Sequence, residues 1–214
     1  MGLAVPPELE RYAREHTDPL HPLLEELERY TRERVALPQM LSGRTVGRLL
    51  HLLCLLSGAR RVLEVGTYTG YASLCMALAL PEDGRLVTVE KNEEFARVAR
   101  TFFKRAPWGK KIELKLADAR ELLPKLGSGS FDFIFVDADK RSYPFYYEEG
   151  LRLLKKGGLM VFDNALWGGE VLNPKDERAA AVAEVNERAR SDERTEALLL
   201  TVRDGLLVVK KVLE

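Results

Sequence analysis

The chain has 214 residues, 46% of them hydrophobic and 31% charged, with 33 basic side chains against 33 acidic ones. That length fits one large domain, and that apolar content fills a core without disulfide or metal staples. A formal net charge of zero creates no electrostatic demand for a polyanionic partner or an acidic membrane surface.

No apolar run reaches the roughly 20 residues of a membrane helix. The first stretch, "MGLAVPPELERYARE", lacks the basic start and long apolar centre of a signal peptide. Cys54 and Cys75 lie in "LLCLL" and "SLCMA" and match no metal or redox motif, so they read as small core residues in a reducing compartment. Cytoplasm is the expected location, with no membrane partner.

Residues 7–57 read as helical. "PELERYAREH" and "HPLLEELERYTRERV" space their apolar residues by three and four among charges, "ALPQMLSG" breaks the pattern, and "RTVGRLLHLLCLL" resumes it until Ser57-Gly58. The period then changes. "RRVLEV" (60–65) predicts a strand, followed by a Gly-containing turn and the helix "YASLCMALAL". "GRLVTVE" (84–90) predicts a second strand, then the helix "NEEFARVARTFFKRA". "KKIELKL" (110–116), "FDFIFV" (131–136) and "GGLMVF" (157–162) predict three more, separated by helical segments near 119–126 and 143–155. Such alternation indicates right-handed βαβ units in a parallel sheet. After a helix near 176–191, "EALLLTV" (196–202) and "LLVVKKV" (206–212) are joined only by Arg203-Asp204-Gly205. So short a link makes a hairpin, which sets one terminal strand antiparallel. One domain over 1–214 is expected, with a helical segment at 1–57 and the α/β core at 58–214.

The turn "EVGTYTG" has glycines only at Gly66 and Gly70, which leaves a pyrophosphate cradle of the G-x-G-x-x-G type incomplete. Gly66 still admits a ligand close to the backbone, and the next helix offers free N–H groups; a tight turn without a ligand is the alternative. Glu90 ends the second strand twenty residues beyond Gly70, where an acid can accept hydrogen bonds from both ribose hydroxyls. A ribose without a pyrophosphate suggests S-adenosylmethionine. Asp118, in "LADA", either borders the adenine or caps a helix. Asp137 ends the fourth strand and Asp163-Asn164 the fifth, all at the carboxyl edge where open α/β sheets place ligands. Two carboxylates and an amide oxygen form a hard-oxygen set suited to Mg²⁺ or Ca²⁺. Residues 97–115 carry seven basic residues against one acid, which reads either as a solvated helix end or as phosphate contacts for RNA.

"VLEVGTYTGYAS", "PEDGRLVTVE", "FDFIFVDADK" followed by Tyr143, "GGLMVFDNALWGG" and "VRDGLLV" closely resemble the metal-dependent O-methyltransferases, the group of catechol and caffeoyl-coenzyme A O-methyltransferases and their bacterial relatives. The resemblance runs from about residue 38 to the C-terminus. It implies a Rossmann-like, seven-stranded, mostly parallel sheet with a reversed last strand and helices on both faces, in agreement with the hairpin. It also implies that Asp137, Asp163 and Asn164 bind a divalent cation (Mg²⁺, or Ca²⁺ or Mn²⁺), that Lys140 is the general base, and that Glu90 holds the ribose. Gly66, Gly70, Asp118, Ala119 and Asp137 join Glu90 in the expected cofactor site, with Met40 and Ser73. Glu64 contacts the methionine amine or serves as a structural turn carboxylate. Tyr68, Tyr71 and Trp167 face the sulfonium or the acceptor ring, or simply pack, with Trp167 the expected substrate contact. Lys140 would remove the acceptor proton, for which its ordinary pKa of about 10.4 must fall.

Animal catechol methyltransferases place His-Trp between the metal Asp and the Lys, whereas Ala138-Asp139 intervene here, as in the plant-like and bacterial branch. The expected activity is O-methylation of a small catechol-like phenol, carried out by a homodimer. A hydroxylated uridine in tRNA is the alternative acceptor, and a nucleoside-binding module without turnover is the reading from another class.

Overall fold

The structure, a computed structural model, describes residues 5–213. It divides into two compact units, residues 6–119 and residues 120–213.

In the first unit, α1 (Pro7–Glu15), α2 (Pro22–Arg34) and α3 (Gly43–Leu56) precede an alternation of β1 (Arg61–Val65), α4 (Tyr71–Ala79), β2 (Arg85–Glu90), α5 (Glu93–Arg105) and β3 (Ile112–Leu116). The short α6 (Ala119–Leu122) begins at the last residue of this unit and continues into the second. Two helix starts are built by capping: the His21 ring accepts the Leu23 N–H, and the Asn92 side chain accepts those of Glu94 and Phe95. In α5, Glu93 and Glu94 then lie in the first turn and Lys104 and Arg105 in the last, each complementing the helix dipole. β2 pairs in parallel with β1 on one side, from Arg61↔Arg85 to Val65↔Val89, and with β3 on the other, from Leu86↔Ile112 to Glu90↔Leu116. Val62 to Val65 are all buried, as a strand covered on both faces requires. Cys54 and Cys75 are buried free thiols, as the sequence suggests.

In the second unit, β4 (Phe131–Val136), α7 (Tyr143–Leu153), β5 (Leu154–Asp163), α8 (Glu177–Ser191), β6 (Thr195–Leu200) and β7 (Leu206–Lys211) follow in order. β4 and β5 are parallel, and β7 runs antiparallel between β5 and β6. The terminal hairpin is therefore present, with shifted bounds. β6 stops at Leu200 rather than 202, because Arg203 (φ 52°) and Gly205 (φ 86°) turn the chain through residues 201–205. β5 starts at Leu154 rather than 157 and shortens α7, since Leu154 already pairs with Phe131 ahead of a register irregularity. No helix among the described residues is long and apolar enough to cross a membrane.

Candidate active site

The first unit carries the candidate nucleoside site on the turn after β1. Gly66 (φ 98°), Tyr68 (φ 50°) and Gly70 (φ 87°) all occupy the left-handed region, so the chain doubles back within five residues. A Cβ at Gly70 would meet Phe103 ring atoms at 2.5 and 2.7 Å, which makes glycine a packing requirement where α4 begins. Glu90 braces this turn from the end of β2. Its Oε2 accepts the Tyr68 N–H and its Oε1 the Asn92 N–H, both at 2.8 Å. Each oxygen still has a second lone-pair direction, so the carboxylate retains acceptors for two hydroxyls.

Glu64 is fully buried, and its Oε2 accepts from the hydroxyls of Ser73 and Thr88. Tyr68 packs edge-on against Phe95 at 4.8 Å, and its hydroxyl donates to Ala36 O (2.7 Å) and Leu37 O (3.2 Å). It thereby anchors the segment that leads into the 3₁₀ turn Pro38–Met40, where Met40 is exposed. Tyr71 is buried. Asp118 directly precedes the buried Ala119, the first residue of α6. The basic segment 97–115 is largely engaged within this unit: Arg105 pairs with Glu26, Lys110 with Glu82 and Lys115 with Glu113, while the buried Lys111 donates to Leu80 O.

The second unit carries a charged cluster at the carboxyl ends of β4 and β5. Asp137 follows β4. Asp139 then caps a 3₁₀ turn (Lys140–Ser142), accepting from Ser142 N and Oγ and from the Tyr146 hydroxyl. That cap fixes Lys140, which is only 8% exposed. Its Nζ donates to Asp137 Oδ1 at 3.0 Å and to the Tyr143 hydroxyl at 2.6 Å, and lies 5.9 Å from the centre of the Trp167 ring. The Tyr143 hydroxyl in turn donates to Asp163 O at 2.7 Å. The phenol thus ties the lysine to the end of β5, and burial first, then the charges of Asp137 and Asp163, raise the Tyr143 pKa.

Asp163 is a strongly perturbed carboxyl. Burial first, and the like charge of Asp137 second, raise its pKa to about 7, against the opposing pull of Lys140 and the Asn164 N–H. Asn164 holds a left-handed backbone (φ 57°) and donates its N–H to Asp163 Oδ1 at 2.7 Å. Among the described residues no three His, Cys, Asp or Glu side chains converge. A cation here would therefore rest on two carboxylates and the Asn164 amide oxygen. That donor set suits a hard divalent ion, and the crowding that perturbs Asp163 is relieved by positive charge.

The second unit thus gathers Asp137, Lys140, Asp163, Asn164 and Trp167, while the first gathers Glu64, Gly66, Tyr68, Gly70, Ser73 and Glu90. Sequence reasoning gave Tyr143 no role, though its hydroxyl binds the lysine. Asp204, in "VRDGLLV", reads from the sequence only as part of the hairpin link Arg203-Asp204-Gly205. Its only sequence signal is an Asp-Gly pair in a hairpin turn, which reads equally well as turn chemistry.

The family profile described as O-methyltransferase matches residues 14–212. The mouse catechol O-methyltransferase domain-containing protein 1 is 38% identical over 198 residues, 90% of this chain and 75% of that protein. Caffeoyl-CoA O-methyltransferase 1 of Zea mays is 37% identical over 179 residues, 78% of this chain and 69% of that one. Among solved structures, the O-methyltransferase TomG from Streptomyces achromogenes, involved in tomaymycin synthesis and determined with SAM, superposes with a TM-score of 0.88 at 32% identity and covers 96% of each chain.

Proposed function

Because this chain belongs to the O-methyltransferase family, with its Rossmann-like fold and S-adenosylmethionine-dependent chemistry, we propose that it methylates a hydroxyl of a small catechol-like phenol with the help of a divalent cation, Mg²⁺ in the first instance. The observation that carries this reading is the buried Lys140, hydrogen-bonded to Asp137 and Tyr143 beside the perturbed Asp163. A module that only binds a nucleoside needs no such group.

When bound, S-adenosylmethionine supplies an electrophilic methyl on its sulfonium, and the cation supplies charge that lowers the pKa of the acceptor hydroxyl. Glu90 would accept the ribose hydroxyls, with Gly66 and Gly70 giving the ligand close access to the backbone. Asp137, Asp163 and Asn164 would hold the cation. Lys140, as the neutral amine, would take the acceptor proton at Nζ. Asp137 Oδ1 and the Tyr143 hydroxyl, both within hydrogen-bond distance of Nζ, would hold that nitrogen in place. Trp167 offers its ring beside the base as a wall for an aromatic acceptor.

The test is methyl transfer to a catechol panel and to undermodified tRNA, each with Mg²⁺ and after chelation. Transfer to catechols that stops in chelator is expected, while cofactor binding persists. Full activity in chelator overturns the cation assignment. Transfer to tRNA alone overturns the acceptor class, against the engagement of four of the seven basic residues by partners in their own unit. We also propose a homodimer, supported by the exposed Leu9, Tyr12, Leu52, Leu55 and Leu56 on α1 and α3; a monomer by light scattering at micromolar concentration refutes it.

A further inference from the structure

Two loops of the second unit, residues 164–169 after β5 and residues 201–205 between β6 and β7, are laced together. Ala165 N donates to Gly205 O at 3.0 Å and Leu166 N to Asp204 O at 2.9 Å. The Asp204 side chain adds two more bonds: Oδ1 accepts the Gly168 N–H at 2.6 Å, and Oδ2 accepts Asn164 Nδ2 at 3.2 Å. The approach is close enough to dictate sequence. At Gly205 (φ +86°) a Cβ would lie 2.5 Å from Leu166 Cγ and 2.8 Å from Leu166 N.

The bond to Asn164 carries chemical information. An ionised carboxylate has acceptors only, whereas an amide has a donor end and an acceptor end. Asn164 must therefore turn its NH₂ toward Asp204, and its Oδ1 takes the opposite arm of the amide. The reverse orientation would set oxygen against oxygen. Without Asp204 the two orientations are close in shape, and only one of them offers an oxygen to a hard cation.

We propose that Asp204 is a positioning residue for the cation site, fixing the Asn164 amide so that Oδ1 and not Nδ2 is presented as a ligand. This rests on the reading of Asp137, Asp163 and Asn164 as the cation's donors. Asp204 acts through Asn164, and its second bond, to Gly168 N, steadies the loop that carries Trp167 beside Lys140.

Asp204→Asn tests it. The substitution preserves volume and leaves an oxygen for the Gly168 N–H, but sets an NH₂ against the NH₂ of Asn164. Calorimetric Mn²⁺ affinity of the metal-stripped protein should fall about 10–100-fold, the usual effect of losing an outer-shell partner, with S-adenosylmethionine affinity and the urea midpoint little changed. Adding Asn164→Asp to that variant reverses the polarity of the pair and restores a donor–acceptor match, so most of the Mn²⁺ affinity should return. Unchanged Mn²⁺ affinity in Asp204→Asn overturns the proposal, as does a loss that the exchanged pair leaves unrepaired. If the unmodified protein takes up no Mn²⁺, the cation reading itself has failed. The side-chain amide ¹H–¹⁵N signals of Asn164 in the metal-free protein then decide about Asp204: displaced signals in Asp204→Asn support the orientation, and unmoved signals refute it.

Discussion

Asp163→Asn should stabilise the cation-free protein, and by an amount that grows with pH. Asp163 is 6% exposed, and its pKa rises from 3.8 in the reference state to about 7 in the fold. Between those values the folded state holds a proton that the unfolded chain has released, so stability falls as pH rises and stops falling above about 7. A shift of roughly 3 units at 1.36 kcal/mol each gives a total loss of about 4 kcal/mol. Because Asn carries no charge at any pH, it escapes this loss while keeping an oxygen for the Asn164 N–H. The gain should be roughly 1–2 kcal/mol at pH 5 and about 4 kcal/mol at pH 8. Urea unfolding in chelator at both pH values measures it. A gain that is equal at pH 5 and pH 8, or a loss at pH 8, would show that Asp163 is not held in a desolvated, like-charged site. The same variant should lose Mn²⁺ binding and turnover.

Lys140→Ala should lower turnover by roughly 10²–10⁴, the range for a positioned general base, and Lys140→Arg should not restore it because guanidinium keeps its proton. Steady-state rates near pH 7 decide, and near-normal turnover in the Ala variant would reduce Lys140 to a charged neighbour. Glu90→Ala should weaken S-adenosylmethionine binding. It should also lower stability without cofactor by roughly 1–3 kcal/mol, because the buried Tyr68 N–H and the part-buried Asn92 N–H lose a charged acceptor. Calorimetry showing unchanged cofactor affinity would leave Glu90 as a brace for the turn alone.

The order of elements was legible because burial imposes its period on sequence. "RRVLEV" and "FDFIFV" are covered strands, and α5 wears its charges on the exposed face and at the matching ends of its dipole. The ends of elements were less legible. Leu154 and Lys155 continue a helical pattern and yet enter β5, because pairing with Phe131 outweighs local preference. At the site, the acids at strand ends stood out from the residues alone, and Lys140 acquired its role through family resemblance. What stayed hidden depends on distance in space. Tyr143 sits three residues from Lys140 in a helix start, and only the fold reveals that its hydroxyl reaches Asp163 O. Asp204 lies forty residues from Asn164, and no local pattern links a hairpin aspartate to an amide in another loop.

The non-glycine residues with positive φ among those described are Leu37, Tyr68, Asn164, Trp167 and Arg203. None lies in the middle of a strand or a regular helix. Tyr68 is the centre of the candidate nucleoside turn, and Leu37 accepts its hydroxyl. Asn164 and Trp167 belong to the charged cluster of the second unit, and Arg203 precedes the aspartate that clips it. A left-handed conformation costs a non-glycine residue about 1–2 kcal/mol, so this chain concentrates backbone strain where the chemistry is expected and leaves the scaffold relaxed. The desolvated Asp163 adds an electrostatic cost in the same loop. Strain and buried charge both persist only where the surroundings over-determine them, and here the surroundings are identifiable: Glu90 on one turn, Tyr143 and Asp204 on the other. A substitution that relaxes these loops should therefore stabilise the protein and impair its chemistry together, whereas one that removes a brace should impair both.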